Sequence, residues 1–207
     1  MEIAPGAFHL AHYLPIARQI ALANTCRTLI DGAVPAYVPV VRGGGKMHVR
    51  MLCLGRHWNA RTYQYEPTRN DYDGLPAPEL PSELCSVATE IANGVGLPIE
   101  PDLCILNYYG RDGHMGLHQD KDEAPSSIAA GIPVVSISIG DTAQFLFGGL
   151  KRRDPIETIQ LESGDAFVFG GPARLRYHGV SRISPHTGPA ELALEGRFNL
   201  TFRQYDI

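Results

Sequence analysis

Beyond Pro101 the chain breaks into short apolar and β-branched runs, separated by turns rich in glycine, proline and aspartate. The runs cover residues 103–109, 134–139, 144–147, 156–161, 166–169, 175–178 and 198–204. Spacing of this kind predicts an antiparallel sandwich or barrel of jelly-roll type. Residues ahead of Pro101 read differently. A helix is expected over 14–26, where Ile16 and Ile20 are four apart, and a clearer one over 81–95. In the second, Leu84, Val87, Ala88, Ile91 and Val95 follow one apolar face, and Gly94, Gly96 and Pro98 stop it. Residues 66–81, rich in Pro, Asp and Gly, read as a loop. The expected fold class is therefore mainly β with flanking helices. Residues 1–98 form a helical part packed on one outer face and 99–207 a jelly-roll core, together one structural domain.

With 207 residues, the chain can bury a sizeable core without disulfides. Its four cysteines, at 26, 53, 85 and 104, include no C-x-x-C pair, so buried free thiols and a reducing cytoplasm are expected. No apolar run has membrane-spanning length, and residues 1–10 lack the basic and apolar regions of a signal peptide. A cytoplasmic protein without a membrane partner is the expectation. The net charge of −4 excludes a uniformly basic protein. Yet no acidic residue falls between Asp31 and Glu66, where Arg42, Lys46, Arg50, Arg56 and Arg61 stand. Such a strip can meet phosphates.

Three signals carry chemistry. In His118-Gln119-Asp120, a strand would aim residues i and i+2 at the same face, presenting an imidazole and a carboxylate to one metal. His178, closing a strand after the Gly170-Gly171-Pro172 turn, could return a second imidazole. Two histidines and one carboxylate leave neighbouring metal sites open, as ferrous oxygenases require. The third signal is the C-terminal strand. There Arg197, Asn199, Thr201 and Arg203 share one face, and Phe198, Leu200 and Phe202 share the other. Two arginines flanking an amide and a hydroxyl suit a small dicarboxylate, and Asn107 and Tyr109 could complete its pocket.

Taken in order, Asn107-x-Tyr109, His118-Gln119-Asp120-Lys121-Asp122-Glu123, Phe147-Gly148-Gly149-Leu150-Lys151-Arg152, Tyr177-His178-Gly179 and Arg197-x-Asn199-Leu200-Thr201-Phe202-Arg203 resemble the AlkB family. These are bacterial DNA dealkylation dioxygenases dependent on iron(II) and 2-oxoglutarate. The likeness runs over residues 100–205 and reaches weakly back to about residue 47.

The resemblance implies a double-stranded β-helix core with a nucleotide-recognition lid from the N-terminal part. It implies Fe(II) on His118, Asp120 and His178, with O2 and 2-oxoglutarate as cosubstrates. Asn107, Tyr109, Arg197, Asn199, Thr201 and Arg203 would hold 2-oxoglutarate, Arg197 taking its far carboxylate. Met115 and Ser136 would line the same pocket. Met51, Trp58, Tyr63, Asp122 and Arg152 would meet the substrate, Tyr65 being the alternative to Tyr63. Phe169 stands where the bacterial relative has tryptophan.

The implied reaction demethylates bases such as 1-methyladenine and 3-methylcytosine, releasing formaldehyde, succinate and CO2. Its partner would be alkylated DNA, single- or double-stranded, or RNA. A monomer is expected, because a damage searcher needs its lid face free. Relatives of this fold also oxidise RNA bases, proteins and small molecules, so the iron site does not fix the substrate. A non-catalytic metal-binding sandwich is the reading of another class; the paired-arginine strand argues against it.

Overall fold

The computed structural model describes residues 1–207. Two short strands, β1 (Glu2–Ala4) and β2 (Ala7–Leu10), precede helix α1 (Ile16–Ile30). Strands β3 (Arg50–Leu54), β4 (His57–Asn59) and β5 (Gln64–Glu66) lead to α2 (Ser82–Gly94). Then come β6 (Leu103–Tyr109), β7 (Met115–His118) and the short helix α3 (Pro125–Ala130). The chain ends in β8 (Val134–Gly140), β9 (Thr142–Phe147), β10 (Glu157–Leu161), β11 (Ala166–Phe169), β12 (His178–Ser184) and β13 (Arg197–Arg203). None of the helices is long and apolar enough to cross a membrane.

A major sheet of seven strands runs β1-β2-β11-β8-β13-β6-β3, and a minor sheet of four runs β10-β9-β12-β7. The β4–β5 hairpin pairs only with itself. Alternation along β13 explains the layering. Phe198, Leu200 and Phe202 join a buried cluster with Leu22, Cys26, Leu84 and Ile91 of α1 and α2. The opposite face of the major sheet looks toward the minor sheet. Ile105, Phe167 and Phe169 from the major sheet there meet Phe145, Phe147 and Val180 from the minor one. The jelly-roll expectation therefore holds, with helices covering the outer face of the major sheet and the site between the two sheets.

Four expectations need correction. The sheet does not follow a division at residue 98, because β1, β2 and β3 supply both of its edges. Helix α1 runs to Ile30, four residues past its expected end, and buries Leu22, Ala23, Cys26 and Ile30, while Ile20 packs at the edge of that cluster and Ile16 is exposed. His178 opens a strand instead of closing one. Residues 174–177 continue from a tight turn at Gly171–Ala173, and β12 begins only where they reach β7 and β9. Its register shifts between Val180 and Arg182, which breaks the period-two pattern that would have revealed it. Finally, Asp120 lies two residues beyond the end of β7, so strand alternation does not aim it.

Candidate active site

His118 and His178 are direct cross-strand partners of β7 and β12, which places their ring centroids 4.4 Å apart. Gly179 allows this approach, because a Cβ there would lie 2.6 Å from the Met115 carbonyl oxygen. Each ring is oriented by the carbonyl two residues earlier. His118 Nδ1 lies 2.9 Å from Gly116 O, and His178 Nδ1 lies 3.1 Å from Arg176 O. A carbonyl can only accept, so both Nδ1 atoms carry the proton and both Nε2 lone pairs are free. Burial, then the neighbouring His178 ring, push His118 down to about 4, which keeps it neutral at pH 7. Its exposed part faces the cavity.

Asp120 completes the set. Its carboxylate oxygens lie 3.7 Å from His118 Nε2 and 3.6 Å from His178 Nε2. All three donors fall within 4.8 Å of one another. Burial alone would raise the Asp120 pKa, but Arg203 and then the histidines outweigh it and hold it well below the ordinary range. Arg203 Nη2 donates to Asp120 Oδ2 at 2.6 Å, and Arg174 Nη1 donates to the Asp120 carbonyl. Two neutral imidazole nitrogens and one carboxylate around a common point fit a ferrous ion with open positions.

These donors sit in a cavity of about 640 Å³. Asn107, Tyr109, Met115, Ser136, Asn199, Thr201 and Arg203 line one side of it, as expected. They are held in place by one another. Asn199 Nδ2 donates to Ser136 Oγ at 2.8 Å, the Thr201 hydroxyl donates to Asn199 Oδ1 at 3.0 Å, and the Tyr109 hydroxyl points at Met115 Sδ at 3.9 Å. Arg197 lies beneath this wall, 1% exposed. It donates to Ser138 Oγ at 2.7 Å and Leu161 O at 3.3 Å, and its Nε has no partner. No carboxylate of the protein pairs with it. Burial pushes its pKa down to about 10, so it stays charged at neutral pH. A buried guanidinium with an unpartnered Nε–H and no counter-ion fits the far carboxylate of 2-oxoglutarate.

The other side of the cavity is the lid. Trp58 on β4 donates its indole Nε1–H to Asp122 Oδ2 at 2.8 Å. Burial raises the Asp122 pKa, against this hydrogen bond. Tyr63 occupies the β4–β5 turn at φ 59°, 41% exposed, and tilts against Trp58 with centroids 5.7 Å apart. Tyr65 is buried deeper, edge-on to Tyr205, and also lines the cavity. Met51 on β3 reaches the cavity from the sheet edge. Arg152 donates to Leu117 O at 2.8 Å and lies over the Tyr177 ring. Phe169 packs against His178 with centroids 4.9 Å apart, so an aromatic wall stands behind the second histidine. The basic strip is partly spent: Arg50 pairs with Asp31, and Arg56 covers the Tyr205 ring.

Sequence reasoning missed the supports. Glu123, 6% exposed, lies 2.9 Å from Arg174 and 3.1 Å from Arg203. Gln119 Nε2 ties the metal loop to Leu175 O at 2.6 Å. Arg174 carried no local signal at all, since it lies 54 residues from the carbonyl that it grips.

Comparison with known proteins agrees with this geometry. Residues 6–203 match the model of the 2OG-Fe(II) oxygenase superfamily. AlkB of Salmonella typhimurium, an alpha-ketoglutarate-dependent dioxygenase, is 38% identical over 98% of this chain and 91% of its own length. The Arabidopsis thaliana DNA N(6)-methyladenine demethylase ALKBH1C is 42% identical over 98% of this chain. The chain spans about half, 49%, of that relative's length. The solved structure of OsALKBH1 superposes with a TM-score of 0.89 at 38% identity, covering 99% of this chain and 100% of that one. With the His118–Asp120–His178 triad between its two sheets and a match over nearly its whole length, this chain belongs to the 2OG-Fe(II) oxygenase superfamily, within the AlkB family.

Proposed function

We propose that this protein removes methyl groups from the nitrogens of nucleobases in DNA or RNA, by oxidation that consumes O2 and 2-oxoglutarate. The observation that carries this reading is the Trp58–Asp122 pair at the mouth of the cavity that holds the metal donors. An aromatic face beside a carboxylate suits a base that has left its stack, most of all one made cationic by methylation of a ring nitrogen.

In this reading His118, Asp120 and His178 hold Fe(II). Arg197 takes the far carboxylate of 2-oxoglutarate, helped by Tyr109, while Asn107, Asn199 and Arg203 bind the rest against Met115, Ser136 and Thr201. Bound iron and 2-oxoglutarate supply, with O2, the oxygen atom inserted into a methyl C–H bond, leaving succinate and CO2. The product carries an N-hydroxymethyl group. Its hydroxyl proton leaves as the C=O bond forms, and the C–N electron pair returns to the base nitrogen. Formaldehyde and the repaired base result. Trp58 and Tyr63 grip the base, Met51 and Tyr65 close the pocket around it, and Arg152 meets a phosphate. Action as a monomer belongs to the same proposal, because a lid that meets nucleic acid needs its face free.

The test supplies Fe(II) and 2-oxoglutarate anaerobically and then admits oxygen with oligonucleotides bearing 1-methyladenine or N6-methyladenine. Single-stranded DNA, duplex DNA and RNA are compared. Loss of the methyl mass together with succinate, both stopping without 2-oxoglutarate, is the expected result. Succinate without demethylation of any of them would move the substrate outside nucleic acid. The two lesions also separate two recognitions. Asp122 favours the cationic 1-methyladenine, whereas the Arabidopsis relative is named for a neutral base.

A further inference from the structure

Trp58 belongs to a hairpin that neither sheet holds, so something else must set its position. Beneath that hairpin lies a polar cluster with no part in the metal or 2-oxoglutarate sites. Asp71, in the segment expected to be plain loop, accepts three hydrogen bonds. His57 Nε2 reaches its Oδ1 at 2.6 Å, and the Ala60 amide and the Tyr37 hydroxyl reach its Oδ2 at 3.1 and 3.3 Å. The His57 and Asp71 side chains are 1% and 2% exposed. Two separate stretches of chain, at Tyr37 and at His57–Ala60, thus converge on the carboxylate of a third, and the second of them brackets Trp58.

A second set of contacts locks the carboxylate's own strap. Arg69, 1% exposed, donates to Asp73 at 2.7 Å and to Pro35 O at 2.7 Å. Its guanidinium lies 5.0 Å from the centres of both the Tyr37 and Tyr72 rings. Tyr37 is also bridged by backbone hydrogen bonds to Met51, a residue of the cavity wall. A buried carboxylate that takes three donors is costly to leave half-satisfied, so the cluster acts as a unit.

We infer that Asp71 is a positioning residue for base recognition: through His57, Ala60 and Tyr37 it fixes the hairpin so that the Trp58 indole meets Asp122. The inference rests on the reading that Trp58 grips the base, but part of its test does not. Trp58 is the chain's single tryptophan, so its fluorescence reports the hairpin without any nucleic acid.

The experiment compares the wild-type protein with Asp71→Asn and Tyr37→Phe. The first puts an amide N–H2 group against donors; the second deletes one donor and keeps the ring stack. Acrylamide quenching of Trp58 is read in the absence of nucleic acid. KM and kcat are read with a 1-methyladenine oligonucleotide, and far-UV circular dichroism checks folding. Asp71→Asn is expected to raise quenching at least ~2-fold and KM about tenfold, with kcat within about twofold, since binding rather than chemistry is lost. Tyr37→Phe is expected to shift both in the same direction by less. If Asp71→Asn does not fold, Tyr37→Phe decides alone. Unchanged quenching in the folded variants overturns the inference, and so does unchanged KM. Should the wild-type protein demethylate nothing, the proposed function fails, while quenching still judges the positioning.

Discussion

Arg197 is buried with no carboxylate beside it, so replacing it with methionine has two consequences of opposite sign. Burial pushes the guanidinium down from its ordinary value to about 10, roughly 3 kcal/mol against the charged form. Below pH 10 the side chain is charged in both the folded and unfolded states, so the whole penalty is present at neutral pH. Methionine removes it, at the loss of the hydrogen bonds to Ser138 and Leu161, about 1 kcal/mol each. The protein without 2-oxoglutarate is then expected to gain about 1 kcal/mol, or about 2–4 °C in Tm for a chain of this size. Binding moves the other way. A carboxylate delivered to a buried site without its partner loses about 3–5 kcal/mol, which weakens the 2-oxoglutarate Kd by roughly 100- to 4,000-fold.

Thermal melting of Arg197→Met with Fe(II), under nitrogen and with increasing 2-oxoglutarate, reads both quantities. The expected record is a raised Tm at zero 2-oxoglutarate and a nearly flat titration, where the wild-type protein climbs. Arg203→Met is the control. Arg203 already pairs with Asp120 at 2.6 Å, so its loss destabilises the protein even without 2-oxoglutarate. A less stable Arg197→Met protein, or one that keeps the wild-type response to 2-oxoglutarate, refutes the assignment of Arg197 as the far-carboxylate receptor.

Asp120→Ala should abolish succinate formation and iron binding together, checked by turnover and by metal content after dialysis. Glu123→Gln leaves Arg174 and Arg203 short of a buried counter-charge, so a loss of about 3–5 kcal/mol is expected in urea unfolding. Asp122→Asn should weaken kcat/KM for 1-methyladenine by about tenfold or more while leaving N6-methyladenine less affected; equal losses on both would remove charge from the account of recognition. Asp165 is pushed up by burial but held below 3.8 overall by His9 and the amides of His12 and Glu162. A depressed carboxylate pKa stabilises the protein above the unfolded value and loses that stability as pH falls through the folded one. Asp165→Asn should therefore lower the urea midpoint at pH 7 and flatten its decline below pH 4.

Much of the β core is legible because its strands alternate cleanly, and β13 shows why. One strand carries both the residues that pack on the helices and those that line the cavity, so its pattern reads at once as fold and as site. Elsewhere the physics hides the pattern. Residues 51–54 of β3 are buried on both faces, so the strand shows no alternation. In β12 a bulge shifts the register in mid-strand. Composition misleads in 66–81. There Asp71 and Asp73 are ordinary turn residues in sequence, yet in space they satisfy His57, Tyr37 and Arg69 from other segments. The site divides in the same way. Both histidines are aimed by carbonyls two residues earlier, a local relation. Asp120 is aimed by Arg174 and Arg203, which no local pattern connects to it.

The three reactants of the proposed reaction meet three separate structural units. Both histidine donors come from the minor sheet, on β7 and β12. The residues for 2-oxoglutarate come mainly from the major sheet, on β6, β8 and β13. Arg203 joins the two, since it ends β13 and touches Asp120. In the proposed reaction the base would meet the β4–β5 hairpin, which pairs with neither sheet and is tied down instead by side chains. Changes in the hairpin therefore need not disturb the metal donors or the 2-oxoglutarate wall, whereas changes in either sheet strike the shared core. An oxygenase built in this way can alter which base it takes by altering Trp58, Tyr63 and the knot beneath them, at little cost to the chemistry. On this argument the lid, and not the His118–Asp120–His178 centre, is where this chain's choice of lesion resides.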